Sequence, residues 1–385
     1  MERGAAVRAV SAVIVVTTAG VLPVFLTGGV SVQMRDDLGF GAGGLGAAVT
    51  AFFVTTAVCS APMGRLAGRL GTDRSMRAAC VVAGVSLAGV AAGARSLGWL
   101  VAFLVVGASA NALAQPASNA YIIERIPGHR QGLAFGVKQS AIPVSTLLGG
   151  LAVPALALTV GWRWAFAGGA AVAVTGTLLV GGGRARTAED GSAAEYRRVD
   201  PGPLLVLAAG VFLGAAAANA LGAFLIDSAV RFGFGEGAAG LLQAAASAAG
   251  VGVRLFAGWR ADQREGGNLP IVAALLVAGA GGFALMATGA ETAYAVGVIA
   301  AFAFGWGWPG LANFAVSRRY AHAPAAATGI TQTGVAFGAA AGPFAFGLLA
   351  GAGAYRTAWA LCAVVAVAAA VTVLAGRRVL LAAAQ

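Results

Sequence analysis

The sequence predicts an all-α membrane protein of twelve transmembrane helices arranged as two six-helix repeats. Three observations predict it. Hydrophobic residues fill 59% of the 385 positions and charged ones only 10%, whereas a soluble chain carries roughly 25% charged residues. Twelve apolar stretches are long enough to cross a bilayer, which takes roughly 20 residues each. The third is an internal repeat. His129 and His322, the only two histidines, are 193 positions apart, and so are Pro116 and Pro309, Arg125 and Arg318, Gln139 and Gln332, Gly136 and Gly329, and Arg163 and Arg356. Histidine, glutamine and proline are scarce in this chain, so composition does not explain matches at one offset.

The stretches run in order over 8–31, 41–63, 76–95, 98–121, 132–158 and 163–182, then 203–227, 237–257, 269–289, 292–315, 327–350 and 357–376. They lack the period-2 alternation of a membrane barrel, so helices are the remaining way to satisfy the backbone in lipid. The N-terminal run resembles a signal peptide in its flanking Arg3 and Arg8. It is long for one and no small-x-small site follows, so it is expected to be a retained first span. The polar segment 183–202 is the expected linker, giving lobes of 1–182 and 203–385. Cys59, Cys80 and Cys362 lie in apolar runs without ligand spacing and are read as small hydrophobes. No metal site is expected.

Net charge is +11, which raises nucleic acid as a partner. The arginines are scattered through short loops rather than clustered on a soluble face, and this excludes that class. Counted as topology signals, Arg35, Arg95, Arg163, Arg231 and Arg356 fall in outer segments and the other nineteen arginines, Arg254 among them, in inner ones. The bias puts both termini and the linker in the cytoplasm of a multi-pass cell-membrane protein. Arg163 and Arg356, placed against the trend, are expected to make a structural pair or helix-end contact, an outer gate being the alternative.

Polar residues inside lipid face other helices or a wet cavity. Asn111, Gln115 and Asn119 recur at i, i+4 and i+8 in the fourth stretch, beside Ser118. Trp306, Asn313 and Ser317 share a face of the tenth near Pro309, and Asn219 lies deep in the seventh, with Asp227 near its end. These residues read either as a solute-binding surface or as interhelical hydrogen bonds. Gln139 and its repeat mate Gln332 join the candidates. Lys138 is the only lysine, and its repeat mate is Thr331. No span offers it a deep acid. Three readings stand: it attracts an anionic solute, carries a coupling proton, or snorkels to the interface. His129 and His322 fall in loops beside arginines and read as solvent-contacting or as a relay. Gly334, Gly338 and Gly342, followed by Pro343, strip one face of the eleventh stretch for close helix contact.

Gly64-Arg65-Leu66-Ala67-Gly68-Arg69-Leu70-Gly71 after the second span resembles the loop motif of the major facilitator superfamily, with Gly68 at its acidic position. Gly258-Trp259-Arg260-Ala261-Asp262 is a second copy that keeps the aspartate, and Gly338 to Pro343 resembles the family's antiporter motif, displaced to span 11. The resemblance covers the whole chain. It implies alternating access by two rocking lobes, with spans 1, 4, 7 and 10 lining the cavity. It also implies that Gly64, Arg65, Arg69, Gly258 and Asp262 act as a cytoplasmic gate.

The expected function is therefore secondary active or facilitative transport of a small polar or anionic organic solute, with protons as the candidate coupling ion and no cofactor. The alternative is a drug or metabolite efflux antiporter. A membrane enzyme lacks a cluster of acids, histidines or nucleophiles at one depth; a transporter-shaped sensor is separable only by assay. The expected partners are the solute and the lipid bilayer, without nucleic acid, and the chain is expected to act as a monomer.

Overall fold

The computed structural model describes residues 2–126, 128–181, 201–263, 267–320 and 324–382. Among them are helices and no strand. In chain order these are α1 (Glu2–Gly29), α2 (Ser31–Leu38), α3 (Ala42–Leu70), α4 (Thr72–Gly93), α5 (Leu97–Arg125), α6 (Gly128–Gln139), α7 (Ala141–Ala152) and α8 (Arg163–Leu179). After the segment expected to be the linker, which to residue 200 lies outside the described residues, come α9 (Pro201–Arg231), α10 (Glu236–Asp262), α11 (Asn268–Thr288), α12 (Glu291–Ala300), α13 (Pro309–Arg319), α14 (Pro324–Gly351) and α15 (Tyr355–Ala382).

Eleven stretches among the described residues are long and apolar enough to cross a membrane. The twelfth is α8, whose 17 residues span about 25 Å at 1.5 Å per residue. The repeat is visible in the starts of paired helices, which fall within three positions of the 193-residue offset: Ala42 with Glu236, Thr72 with Asn268, Leu97 with Glu291, Arg163 with Tyr355.

Three features depart from twelve plain rods. The polar run Ser31–Leu38 forms a helix of its own and ends at Gly39, whose φ of 69° is open to glycine at no steric cost. The fifth stretch is broken between α6 and α7 and ends in a π turn, Val153–Ala157. Pro143 lies just past the break and Pro154 inside the π turn, each without an N–H for the carbonyl four residues back. The tenth stretch is also broken: a π turn at Ala301–Gly305 follows α12, and α13 begins afresh at Pro309.

The described chain forms two compact units. Unit 1 lies within Met1–Ala188 and Gly222–Ala245; unit 2 lies within Glu189–Leu221 and Ala246–Gln385. In unit 1, α1 packs on α5, α7 and α8, and α4 lies along α5 and α8. Its core includes Val13, Val16, Met76, Leu113 and Tyr121. In unit 2, α11 lies along α15, and Leu207, Leu276, Trp308 and Val373 are central to the core. Small residues bring the unit 2 helices close. Gly334, Gly338 and Gly342 of α14 abut the carbonyl oxygens of Ala208, Phe212 and Ala216 on α9. Both rows step by four residues, so a stripe of backbone meets a stripe of backbone.

Arg163 and Arg356 occupy matching places. Arg163 donates through Nη2 to the carbonyl of Ala94, just past α4, at 2.8 Å. Arg356 packs its guanidinium against Gly289, just past α11. Each places a cation at the negative end of the repeat's third helix.

Candidate functional site

The polar groups of unit 1 converge where α5 meets α6 and α3. Asn111, Gln115 and Asn119 lie on one side of α5 because four-residue steps return to the same face. Gln115 Nε2 donates to Asn111 Oδ1 at 3.2 Å, and Asn111 Nδ2 donates to Thr56 Oγ1 of α3 at 3.5 Å. Lys138, on the last turn of α6, donates from Nζ to the Gln115 carbonyl oxygen at 3.1 Å and to Asn119 Oδ1. Lys138 is 3% exposed. Among the described residues it makes no ion pair, and both of these acceptors are neutral oxygens. Ser118, on an adjoining face of α5, accepts from Thr17 of α1 at 3.4 Å. Gln139 is half-buried beside Lys138.

The remaining candidates are dispersed. Asn219 is buried and donates to its own helix, at the Ala215 carbonyl, 2.9 Å away. Trp306 is buried against Phe302, with ring centroids 5.5 Å apart. Asn313 is half-buried on α13 and Gln332 exposed on α14. In the loop motif, Arg65 and Arg69 are exposed on the last turns of α3, and Gly64 is half-buried, as is Gly258 of the second copy. Asp262 ends α10, and its side chain lies outside the described residues, as do those of His129 and His322.

Sequence reasoning missed four features. Asp73, just past the first motif copy, is buried and forms an ion pair with Arg125 at 2.9 Å, while the Arg125 guanidinium lies over the Tyr121 ring. Arg35 of α2 pairs with Asp227 of α9, and Gln33 Nε2 donates to Glu236 Oε2 at 2.6 Å. Gln243, fully buried, donates to the Thr146 carbonyl at 2.9 Å. The contacts of Asp227, Glu236 and Gln243 all lie within unit 1 and bind the segment 222–245 to the rest of it. The signal was faint, because each pair joins residues far apart in sequence. The fourth feature corrects an expectation. Arg254, counted as an inner topology arginine, is buried at 6% exposure within α10 and donates through Nε and Nη2 to the Trp306 carbonyl at 3.1 and 2.6 Å.

One carboxylate outside the spans is tuned by its partner. Arg163 Nη1 donates to Asp37 Oδ2, and Trp162 Nε1 donates to the same oxygen at 3.1 Å. The Arg163 hydrogen bond holds the Asp37 carboxyl below its ordinary range.

The family described as Major Facilitator Superfamily matches over residues 9–340. In fold, the chain is similar to a bacterial homolog of the human lysosomal transporter Spinster, solved in an inward-facing and occupied conformation. The TM-score is 0.74 at 16% identity, with 96% of each chain covered. The inward-facing, unoccupied structure of such a homolog gives 0.71 at 17% identity, with 97% of each chain covered. No curated protein matches the chain in sequence. Twelve spans in two repeats and a family match over most of the sequence lead to one assignment: the chain is a multi-pass membrane transporter that belongs to the Major Facilitator Superfamily.

Proposed function

We propose that this transporter moves a small polar or anionic organic solute by alternating access, as a secondary active or facilitative carrier. Protons are the candidate coupling ion. The observation that carries the reading is Lys138. A cation at the centre of a spanning helix costs about 2.5–3.5 kcal/mol on insertion scales, and Lys138, buried in the first half of the α6–α7 stretch, bears a share of that cost. Two neutral oxygens offset part of that cost, and the positive charge is left without a counter-ion among the described residues. An anionic solute supplies the missing charge. A carboxylate suits the site, because Asn119 offers its amide N–H groups beside the ammonium, one donor for each carboxylate oxygen. The site therefore favours the anionic member of the solute class.

Alternating access gives the contacts of segment 222–245 a role. Opening at that end requires release of Arg35 from Asp227 and of Gln33 from Glu236. Arg65, Arg69, Asp73 and Arg125 are assigned to the opposite, cytoplasmic gate, with both termini on that side of the cell membrane and a monomer as the working unit. The α14 glycine seam, which runs through the antiporter-like Gly338–Pro343 segment, favours efflux by exchange as the second reading.

The test is flux into proteoliposomes of labelled monocarboxylates and of neutral amides with the same skeletons, with and without a pH gradient. Carboxylates are expected to move faster than their amides, and Lys138→Ala to abolish the difference. Equal rates for both classes, or a wild-type difference in Lys138→Ala, would remove Lys138 from the mechanism. Flux unchanged by the gradient would remove proton coupling.

A further inference from the structure

The break in the tenth span and the buried arginine of the eighth form one device. Pro309 has no N–H, so the Gly305 carbonyl loses its helical donor. The Trp308 indole replaces it, with Nε1 donating to the Gly305 oxygen at 3.0 Å. One residue later the chain is out of helical register, and the Trp306 carbonyl receives two bonds from Arg254. Trp306 and Trp308 are 3% and 1% exposed, so water has little access to either carbonyl.

Each part alone is a liability in a bilayer. A bare carbonyl in the apolar interior is costly, and so is an arginine. Together they offset one another. The end of a helix carries partial negative charge, about half an electron, and the guanidinium sits on it. The surroundings fix the joint. Gly250, one turn before Arg254, lies close to the Phe302 carbonyl, where an added Cβ would come within 3.2 Å of the oxygen. Gly307 abuts the Val253 side chain, whose Cγ1 an added Cβ would approach to 2.9 Å. Arg254 thus ties α10 to the point where the π turn ends and α13 starts.

We infer that Arg254 is a positioning residue. It caps the broken tenth span and so sets the direction of α13, the half-helix that carries Asn313. Only the last step, from α13 to solute, rests on the proposed function. The cap makes the break a fixed corner rather than a loose joint.

The experiment compares wild type, Arg254→Met and Arg254→Lys in lipid nanodiscs by hydrogen–deuterium exchange. In Arg254→Met, peptides covering 301–312 are expected to exchange about tenfold faster, and the rest of unit 2 to stay within about twofold. Arg254→Lys, which keeps a charged donor, is expected to recover most of the protection. The second readout is maleimide labelling of Asn313→Cys, whose rate is expected to change at least about threefold when Arg254→Met is added. An arginine that serves only as topology signal predicts the reverse. Methionine would relieve a buried charge and leave exchange in 301–312 and labelling unchanged, which would overturn the proposal. Faster exchange spread evenly over unit 2 would overturn it too. If Arg254→Met fails to fold, Trp308→Phe, which removes the neighbouring cap, and Arg254→Lys carry the same comparison: protection must fall in 301–312 in the first and persist in the second. Neither readout uses a solute, so a wrong solute assignment cannot imitate failure.

Discussion

Gly338→Ala should destabilise the protein, although alanine is the better helix former. Gly338 is buried where α14 meets α9, and a Cβ there would fall inside the van der Waals shell of the Phe212 carbonyl oxygen. That neighbour is backbone in the middle of a helix and cannot rotate away. Overpacking of this kind costs about 1–3 kcal/mol. Against it stands a propensity gain of about 0.5–1 kcal/mol for replacing glycine inside a helix. Because the clash is with backbone, the upper part of that range, about 2–3 kcal/mol, applies, and less about 1 kcal/mol of propensity the net is a loss of about 1–2 kcal/mol, larger if α14 must move off its whole seam. At roughly 2–4 °C per kcal/mol for folding units of 150–250 residues, the Tm should fall by about 2–8 °C.

The control carries the opposite sign. Gly281 lies inside α11, exposed, with nothing within 4 Å of an added Cβ. Gly281→Ala therefore keeps the propensity gain without the clash, and its Tm should rise by about 1–4 °C. The assay is thermal unfolding of purified protein in one detergent, followed by intrinsic fluorescence. A rise in both variants, or no change in Gly338→Ala, would show that the two helices are not in backbone contact and refute the reasoning.

Other outcomes follow from the polar contacts. Asp227→Asn removes the charge from the Arg35 pair, so a cysteine placed at Gly222 should label faster with a membrane-impermeant maleimide than in the Asp227 parent; an unchanged rate would mean the pair does not hold this end closed. Arg125→Gln leaves Asp73, buried at 7% exposure, without its charge partner. Breaking such a pair costs about 3–5 kcal/mol when fully buried and less here, where Arg125 is partly exposed; the double variant Asp73→Asn/Arg125→Gln should recover stability in thermal unfolding. Asp37→Asn should weaken the protein slightly at neutral pH, by about 0–1 kcal/mol, since both partners are substantially exposed. Its sign with pH is fixed. The folded-state carboxyl titrates below its ordinary value, so the contribution is complete above the unfolded value of about 3.9 and is lost as pH falls through the lowered one. Wild type and Asp37→Asn should then converge in acid, and a gap that persists there would exclude the Arg163 hydrogen bond as its source.

Much of the fold was legible because lipid removes choices. A stretch of apolar residues has one way to satisfy its backbone, so length alone located the spans. The breaks were not legible to the same reading. Hydropathy dips through Gly305–Pro309, but the stretch as a whole stays apolar enough to read as one span, and within the dip the missing N–H of Pro309 marks the corner. The amides at 111, 115 and 119 were visible as a stripe because four-residue spacing is a property of one helix. The partner of Lys138 was not, because a buried cation points to an acid and the structure supplies Asn119 and a backbone carbonyl. Arg254 was hidden by the rule that found the topology. Near the end of an apolar run an arginine reads as an inner-face marker, and nothing local distinguishes one that turns inward to a carbonyl 52 residues away.

The repeat separates framework from chemistry. Arg163 and Arg356 are duplicated, and both brace the end of their repeat's third helix. The unusual charges are not duplicated. Lys138 has Thr331 as its mate, Arg254 has Ala61, Arg35 has Ser228 and Asp227 has Met34. A two-lobed carrier built from equal halves needs equal bracing, because each lobe must be stable alone in lipid. It does not need equal chemistry, because a solute that is itself asymmetric must be gripped by different groups on its two sides. The positions where the 193-residue offset fails are therefore where substitutions should change transport before they change stability. The positions where it holds, Arg163 and Arg356 first, are where they should change stability before transport. Arg356→Met lowering the Tm while leaving the relative flux of carboxylate and amide intact, and Lys138→Met doing the reverse, is the pattern this division requires.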